Sequence, residues 1–269
     1  MNISRRLLAL SLSLFSFAAM AAGGMQAAGQ GIDGDGLEGY FWYDDVAISL
    51  GASALLVPEY QGASRYEVTG FPLIDLDYKK ILFLSTQRGL GVQGRLGHFV
   101  MGTRLTYDFG RDNEDYIKYM SNLAGSVDAG VFARLLFEPW VINVDAQTAI
   151  TQQGHNGTFG GLSLAYFYQR VPYWEFLTRA GVGYADSNYM NAYFGVTHGE
   201  ANKTGFDPYQ PGGGFKDVNA AFTATFVGIK NWKILSTLGA SMLGDKPSES
   251  DVVQARMQYR LMLGLLYVF

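Results

Sequence analysis

The 269-residue chain has no cysteine, few charged residues and, beyond its N-terminus, no long apolar run. The lack of cysteine excludes a disulfide framework and a lipid anchor on a lipobox cysteine. It also removes thiolates from any metal site, and none of the histidines (His98, His155, His198) stands four residues from another. Charged residues make up 16%, against about 25% in an ordinary soluble domain. With a net charge of −4 and no basic stripe, nucleic acid is not an expected partner. After the first segment no uninterrupted run of about 18 apolar residues occurs, so membrane-spanning helices are not expected.

An export signal and a strand pattern are present. Arg5 and Arg6 precede an apolar stretch, Leu7 to Ala19, and small residues follow around Ala21. This order reads as a cleaved signal peptide over residues 1–21. Residues 22–43 read as a flexible periplasmic leader. Its spaced acids Asp33, Asp35 and Glu38 lack the full calcium-loop pattern and read as a solvated tail.

From residue 44 onward the chain falls into alternating segments of about ten residues separated by turn chemistry. The last segment sets Tyr259, Leu261, Leu263, Leu265, Tyr267 and Phe269 on one face. Arg260 and Gly264 suit a wet lumen on the other face, whereas Met262, Leu266 and Val268 do not clearly do so. Comparable segments run Val46–Leu56, Val68–Tyr78, Lys80–Thr86, Leu90–Leu96, Phe99–Phe109, Val127–Phe137, Ile142–Ile150, Leu162–Tyr168, Trp174–Tyr184, Val218–Phe226 and Trp232–Met242. Short connections alternate with long ones, as periplasmic turns alternate with external loops in outer-membrane barrels. The Thr86–Leu90 connection is short where a long one is expected, which leaves ten strands open beside twelve. Glycine, at 34 residues, is near double the usual ~7%, and aromatics reach 14%. Tyr78, Phe137, Trp140, Tyr168, Tyr173, Trp174, Trp232, Tyr267 and Phe269 gather at turn ends, as a headgroup-level girdle requires. The expectation over residues 44–269 is an all-β, transmembrane, antiparallel up-and-down barrel in contact with outer-membrane lipid and lipopolysaccharide.

The loops carry a more specific pattern. Pro58-Glu-Tyr60-Gln-Gly62-Ala-Ser64-x-Tyr66 comes first, then Tyr107-x-x-Gly110-Arg111 and Gln153-Gly154-His155-x-Gly157. The longest stretch is Tyr184-Ala-Asp186-Ser-Asn-Tyr189-Met-Asn-Ala-Tyr193-Phe-Gly195-Val-Thr197, followed by Gly214-Phe-Lys216-Asp217 and Leu243-Gly244-Asp245. In order and spacing these resemble the MltA-interacting protein/OmpV family of outer-membrane proteins. Thr204-Gly205-Phe206 departs from that pattern, as does the charged run Lys246–Asp251. The resemblance implies a scaffold holding a lytic murein transglycosylase together with a bifunctional penicillin-binding synthase. It further implies that Tyr267 and Phe269 form the signal read by the barrel-assembly machinery. Docking on periplasmic turns would then involve Pro139, Trp140, Trp174 and Trp232.

Two other readings stay open: a narrow diffusion channel and a surface adhesin built on the loop from Asp186 to Phe215. Lumen-side Arg95, Arg104, Arg134, Asn143, Asp145 and Gln147 would line a channel or pair into a plug. No catalytic residue, metal or cofactor is expected. Gly161-Leu-Ser163-Leu-Ala165 lacks the second glycine of a nucleophile elbow. His155 and His198, with Asp186 and Asp217 conceivably near, form the sole candidate base pairings.

Overall fold

The computed structural model describes residues 46–112 and 115–269. The signal peptide, the leader, residues 44–45 and residues 113–114 lie outside the described residues. Twelve strands form in the order expected. They are β1 (Val46–Pro58), β2 (Tyr66–Tyr78), β3 (Leu82–Ser85), β4 (Gly89–Leu96), β5 (Phe99–Asp108) and β6 (Ser126–Phe137). Then follow β7 (Trp140–Ala149), β8 (Thr158–Val171), β9 (Trp174–Ala185), β10 (Gly214–Ile229), β11 (Trp232–Leu243) and β12 (Met257–Val268). Each pairs antiparallel with its sequence neighbours, and β1 pairs with β12 to close the ring. Closure leaves no sheet edge, so the backbone groups of a spanning strand find partners without water.

The irregular connection is a real hairpin, which settles the strand count at twelve. Strand β3 has four residues and pairs with the last four of β2. Thr86 then takes over from the ladder: its amide donates to the Ile74 carbonyl at 2.9 Å, and its Oγ1 accepts from the Ile74 amide at 3.1 Å. The turn residue Arg88 folds into the bore and bonds Asp75 and Asp77, each at 2.7 Å.

Alternation sorts the side chains into two solvents. On β12, Tyr259, Leu263 and Leu265 lie exposed on the outer wall, as does Phe269 just past it, while Gln258, Met262 and Val268 are buried inside. The outer apolar band would be an aggregation hazard in water and is an ordinary surface in lipid. The ambiguous inward residue Met262 packs with Leu55, Val57, Leu73 and Leu235. One side of the bore is therefore filled with apolar side chains. Phe83, Val100 and Phe132 form a second internal cluster.

The turn-end aromatics stack along the outer wall. Trp140 meets Tyr166 at 4.7 Å between ring centroids, Trp174 stacks on Phe176 at 6.0 Å, and Trp232 meets Tyr267 at 5.0 Å. By strand parity these three tryptophans point outward at headgroup level, beside the turn tips and not on them.

Candidate functional site: a capped external mouth above a charged bore

The long loop after β9 contains local order that its composition hid. Asp186 caps helix α1 (Ser187–Phe194): its carboxylate accepts from the Tyr189 amide at 2.9 Å and from the Thr158 amide at 2.8 Å. Thr197 and Glu200 form a reciprocal capping box at the start of α2 (His198–Thr204), and Gly205 ends that helix in the left-handed region. The Thr197-x-x-Glu200 spacing was a visible helix signal inside a segment assigned wholly to loop. A short helix, α3 (Asp245–Ser248), starts the connection between β11 and β12.

These helices turn their apolar faces down over the bore. Tyr189, Met190, Tyr193 and Phe194 of α1 are at most 2% exposed and pack on Phe159, Ala185 and Leu243 at the strand ends. Beside them, Tyr60 and Ala63 of the β1–β2 loop meet Ile117 and Met120 of the β5–β6 loop. Val196 of the β9–β10 loop and Val252 of the β11–β12 loop complete that cluster. The first three loops stand four strands apart around the ring. Loops so placed can share one cluster only by crossing the mouth, which is thereby covered.

Polar contacts lock the cap. The Tyr193 hydroxyl donates to Asp108 at 2.6 Å, and the same carboxylate oxygen accepts from the Gly110 amide at 2.8 Å. Arg111 donates to the Tyr193 carbonyl at 2.6 Å. Gln61 donates to the Tyr189 hydroxyl at 3.0 Å, and the Gly62 amide donates to Gln258 at 3.1 Å. Burial, then the charge of Asp108, pushes the Tyr189 and Tyr193 hydroxyls well above the usual tyrosine range. Glu200 goes the other way. Burial opposes its ionisation, but hydrogen bonds from Thr197 and Ser121 outweigh that and hold the carboxyl at about 2.

Two glycines are required by close approach. A Cβ on Gly157 would sit 2.2 Å from the Tyr189 nitrogen, and one on Gly110, at φ +78, would sit 1.9 Å from the Leu123 carbonyl oxygen.

His155 is 2% exposed and faces Asp128 at 3.3 Å and Asp108 at 4.0 Å. Their ligand atoms lie within 4.8 Å of one another. The Gly157 amide donates to His155 Nδ1 at 3.1 Å, so the ring proton belongs on Nε2, pointing at Asp128. A metal would need that lone pair, so the geometry suits a hydrogen-bonded core better than a cation. The conceivable pairings of His155 or His198 with Asp186 do not form. Asp186 serves as a helix cap, and His198 is an exposed first-turn residue of α2. Ser126 and His155 both bond Asp128, so no base–nucleophile pair is set up there.

Most of the loop-motif residues thus meet in one cap: Tyr60, Gly62, Gly110, Arg111, Gly154, His155, Asp186, Tyr189, Tyr193 and Gly195. Pro58 ends β1 below it. Gly244 caps α3, and Asp245 bonds Arg256 at 2.6 Å on the surface. Lys216 and Asp217 form an ion pair at the upper side of the waist of the bore. Below them Arg104 bonds Asp145 at 3.1 Å, with Asn143 and Gln147 turned to the same carboxylate. Arg134 donates to Gln93 at 2.8 Å, whereas Arg95 bonds the Gly97 carbonyl near the periplasmic rim. The expected lumen residues therefore pair largely with one another.

The family model for the MltA-interacting protein MipA matches residues 50–269. Outer membrane protein Omp26La of Vibrio anguillarum and outer membrane protein OmpV of Vibrio cholerae are each 26% identical over 181 residues. Each match covers 65% of this chain and 65% of the relative's length. Among solved structures, an outer membrane channel from Pseudomonas putida F1 aligns over 86% of this chain and 98% of its own, at 9% identity and a TM-score of 0.40. A refined porin aligns over 84% of this chain and 100% of its own, at 8% identity and a TM-score of 0.35.

Proposed function

The chain belongs to the MltA-interacting protein MipA family and is an outer-membrane β-barrel, and from that premise we propose a non-catalytic scaffold working on the periplasmic side. Its partners in this reading are a murein lytic transglycosylase, as the family description suggests, and a penicillin-binding synthase. The covered mouth supports a scaffold over a diffusion channel, which needs an open path through both ends. Tyr267 and Phe269, at the end of the closing strand, serve as the assembly signal.

The observation that carries the reading is the exposed positive charge on the periplasmic turns. Lys79 and Lys80 both adopt positive φ, 53° and 57°. Asparagine and glycine take that conformation at low cost, and a longer side chain loses roughly 1–2 kcal/mol per residue there. Both lysines make contacts within the chain, Lys79 with the Tyr78 ring among them. Exposed Arg170 and Lys230 stand at two other periplasmic turns, against one exposed acid, Glu138, among the described turn tips. An acidic protein thus presents a cationic rim to the periplasm. A protein partner with an acidic face fits it. The tryptophans beside the tips anchor the barrel in lipid, so docking falls to the tips themselves.

The test is binding of a purified murein lytic transglycosylase to the barrel in lipid nanodiscs. Replacing Arg170 and Lys230 with Gln removes two exposed charges from the turns. The reading predicts at least about tenfold weaker binding, since rim charges steer and hold such encounters. Unchanged binding would remove the rim from the account.

A further inference from the structure

Among the described residues, the waist of the bore holds more cations than acids. Arg104, Arg179, Arg260 and Lys216 gather there with Asp145 and Asp217. Both acids are already engaged. Asp145 takes Arg104, Asn143 and Gln147, and Asp217 takes Lys216 together with Asn219 at 2.9 Å. Arg179 is 4% exposed and its Nε is buried without a hydrogen-bond partner; its charged neighbours are Asp145, which already bonds Arg104, and the like-charged Arg260 and Arg104. A buried charge is costly unless it is paired and hydrogen-bonded. Among the described residues of this cluster, two acids thus serve four cations.

Space for it lies alongside. Arg179, Lys216, Asn219 and Ser163, together with the engaged carboxylates Asp145 and Asp217, line a cavity of about 50 Å³ that opens to solvent. Its wall is kept thin by glycine. A Cβ on Gly181 would come within 2.9 Å of the Ser163 Cβ and 3.3 Å of Asn219 Oδ1, and one on Gly183 within 3.0 Å of Asp217 Oδ1. Side chains there would crowd the groups that face the cavity.

We propose that the waist binds one small oxyanion, a carboxylate or phosphate group, with Arg179 as its principal ligand and Lys216 and Asn219 as further donors. The planar fork of an arginine suits two oxygens of one such group. With the external mouth covered, the anion enters from the periplasmic end. The site is independent of what docks on the rim.

The test uses the purified full barrel in detergent. Thermal midpoint and calorimetric binding are followed in sodium phosphate, sodium acetate and, at matched ionic strength, sodium chloride. A ligand bound only by the folded state raises the midpoint with its concentration. One or both oxyanions should raise it beyond chloride, and the stronger of the two identifies the group recognised. Arg179→Met should weaken that binding by at least about tenfold, the scale of one charge-assisted bidentate contact. Asp145→Asn removes a competing acid and should tighten binding severalfold. Arg179→Lys keeps the charge without the fork, and it serves should the methionine variant fail to fold; its binding should also weaken. Equal response to all three salts, or undiminished binding by the arginine variants, would overturn the proposal.

Discussion

The two ends of this barrel solve opposite problems. At the external end, long loops carrying most of the family pattern bury their aromatic residues against one another and cover the mouth. At the periplasmic end, short turns leave lysine and arginine exposed, with Lys79, Lys80, Tyr173 and Asn231 in the left-handed region. The recognisable motifs therefore mark packing, and the end read here as the docking face carries almost none of them. A family pattern can identify a fold through residues remote from the surface where its partners bind.

The largest expected effect breaks the cap. Tyr193→Ala removes a fully buried ring and the donor to Asp108, at a local cost of about 3–5 kcal/mol. Proteases added outside cells should then cut within α1 and α2, while the barrel keeps its heat-modifiable migration on gels. His155→Ala is next, leaving Asp128 and the Gly157 amide short of a partner, at about 1–3 kcal/mol. Hydrogen exchange should quicken around residues 153–158 and leave the periplasmic turns unchanged. At the other end the sign reverses. An Asn-Gly replacement of Lys79 and Lys80 should hold or raise barrel stability, by up to about 1 kcal/mol, as denaturant titration would register. A loss there would mean that the lysines serve the fold and would erase the contrast between the ends.

The smallest effect is one of pH. Glu200 has a depressed carboxyl pKa, so its contribution to the cap is complete above its ordinary value near 4.5 and is lost as pH falls toward about 2. The Ser121 amide resonance should shift across that window, because this amide donates to Glu200 at 2.8 Å. Titration at pH 4 or above would show that the capping box does not hold the carboxylate.

The strands were legible because one face meets lipid and the other the bore, and that alternation has a fixed period. Their ends were less so. Strand β8 was expected over Leu162–Tyr168 and runs Thr158–Val171, its glycines at 160 and 161 having no side chain to mark a face. Met262 broke the expected polar lumen because the bore is part apolar, which no single strand reveals. The loop residues could be named individually, but their meeting could not be read from sequence. Contacts among Tyr60, Ile117 and Val196 follow from ring geometry and have no sequence period. The tryptophans were legible as a girdle, and the same parity argues against their serving as docking residues.

The most direct test of the account compares the two ends in living cells. Photoreactive residues are placed at Tyr173 on the periplasmic rim and at Tyr119 on the external cap, both exposed, and crosslinked proteins are identified by mass spectrometry. The account predicts capture of a murein lytic transglycosylase from Tyr173 and none from Tyr119. Capture from Tyr119 alone, or from neither position with the barrel correctly inserted, would contradict it.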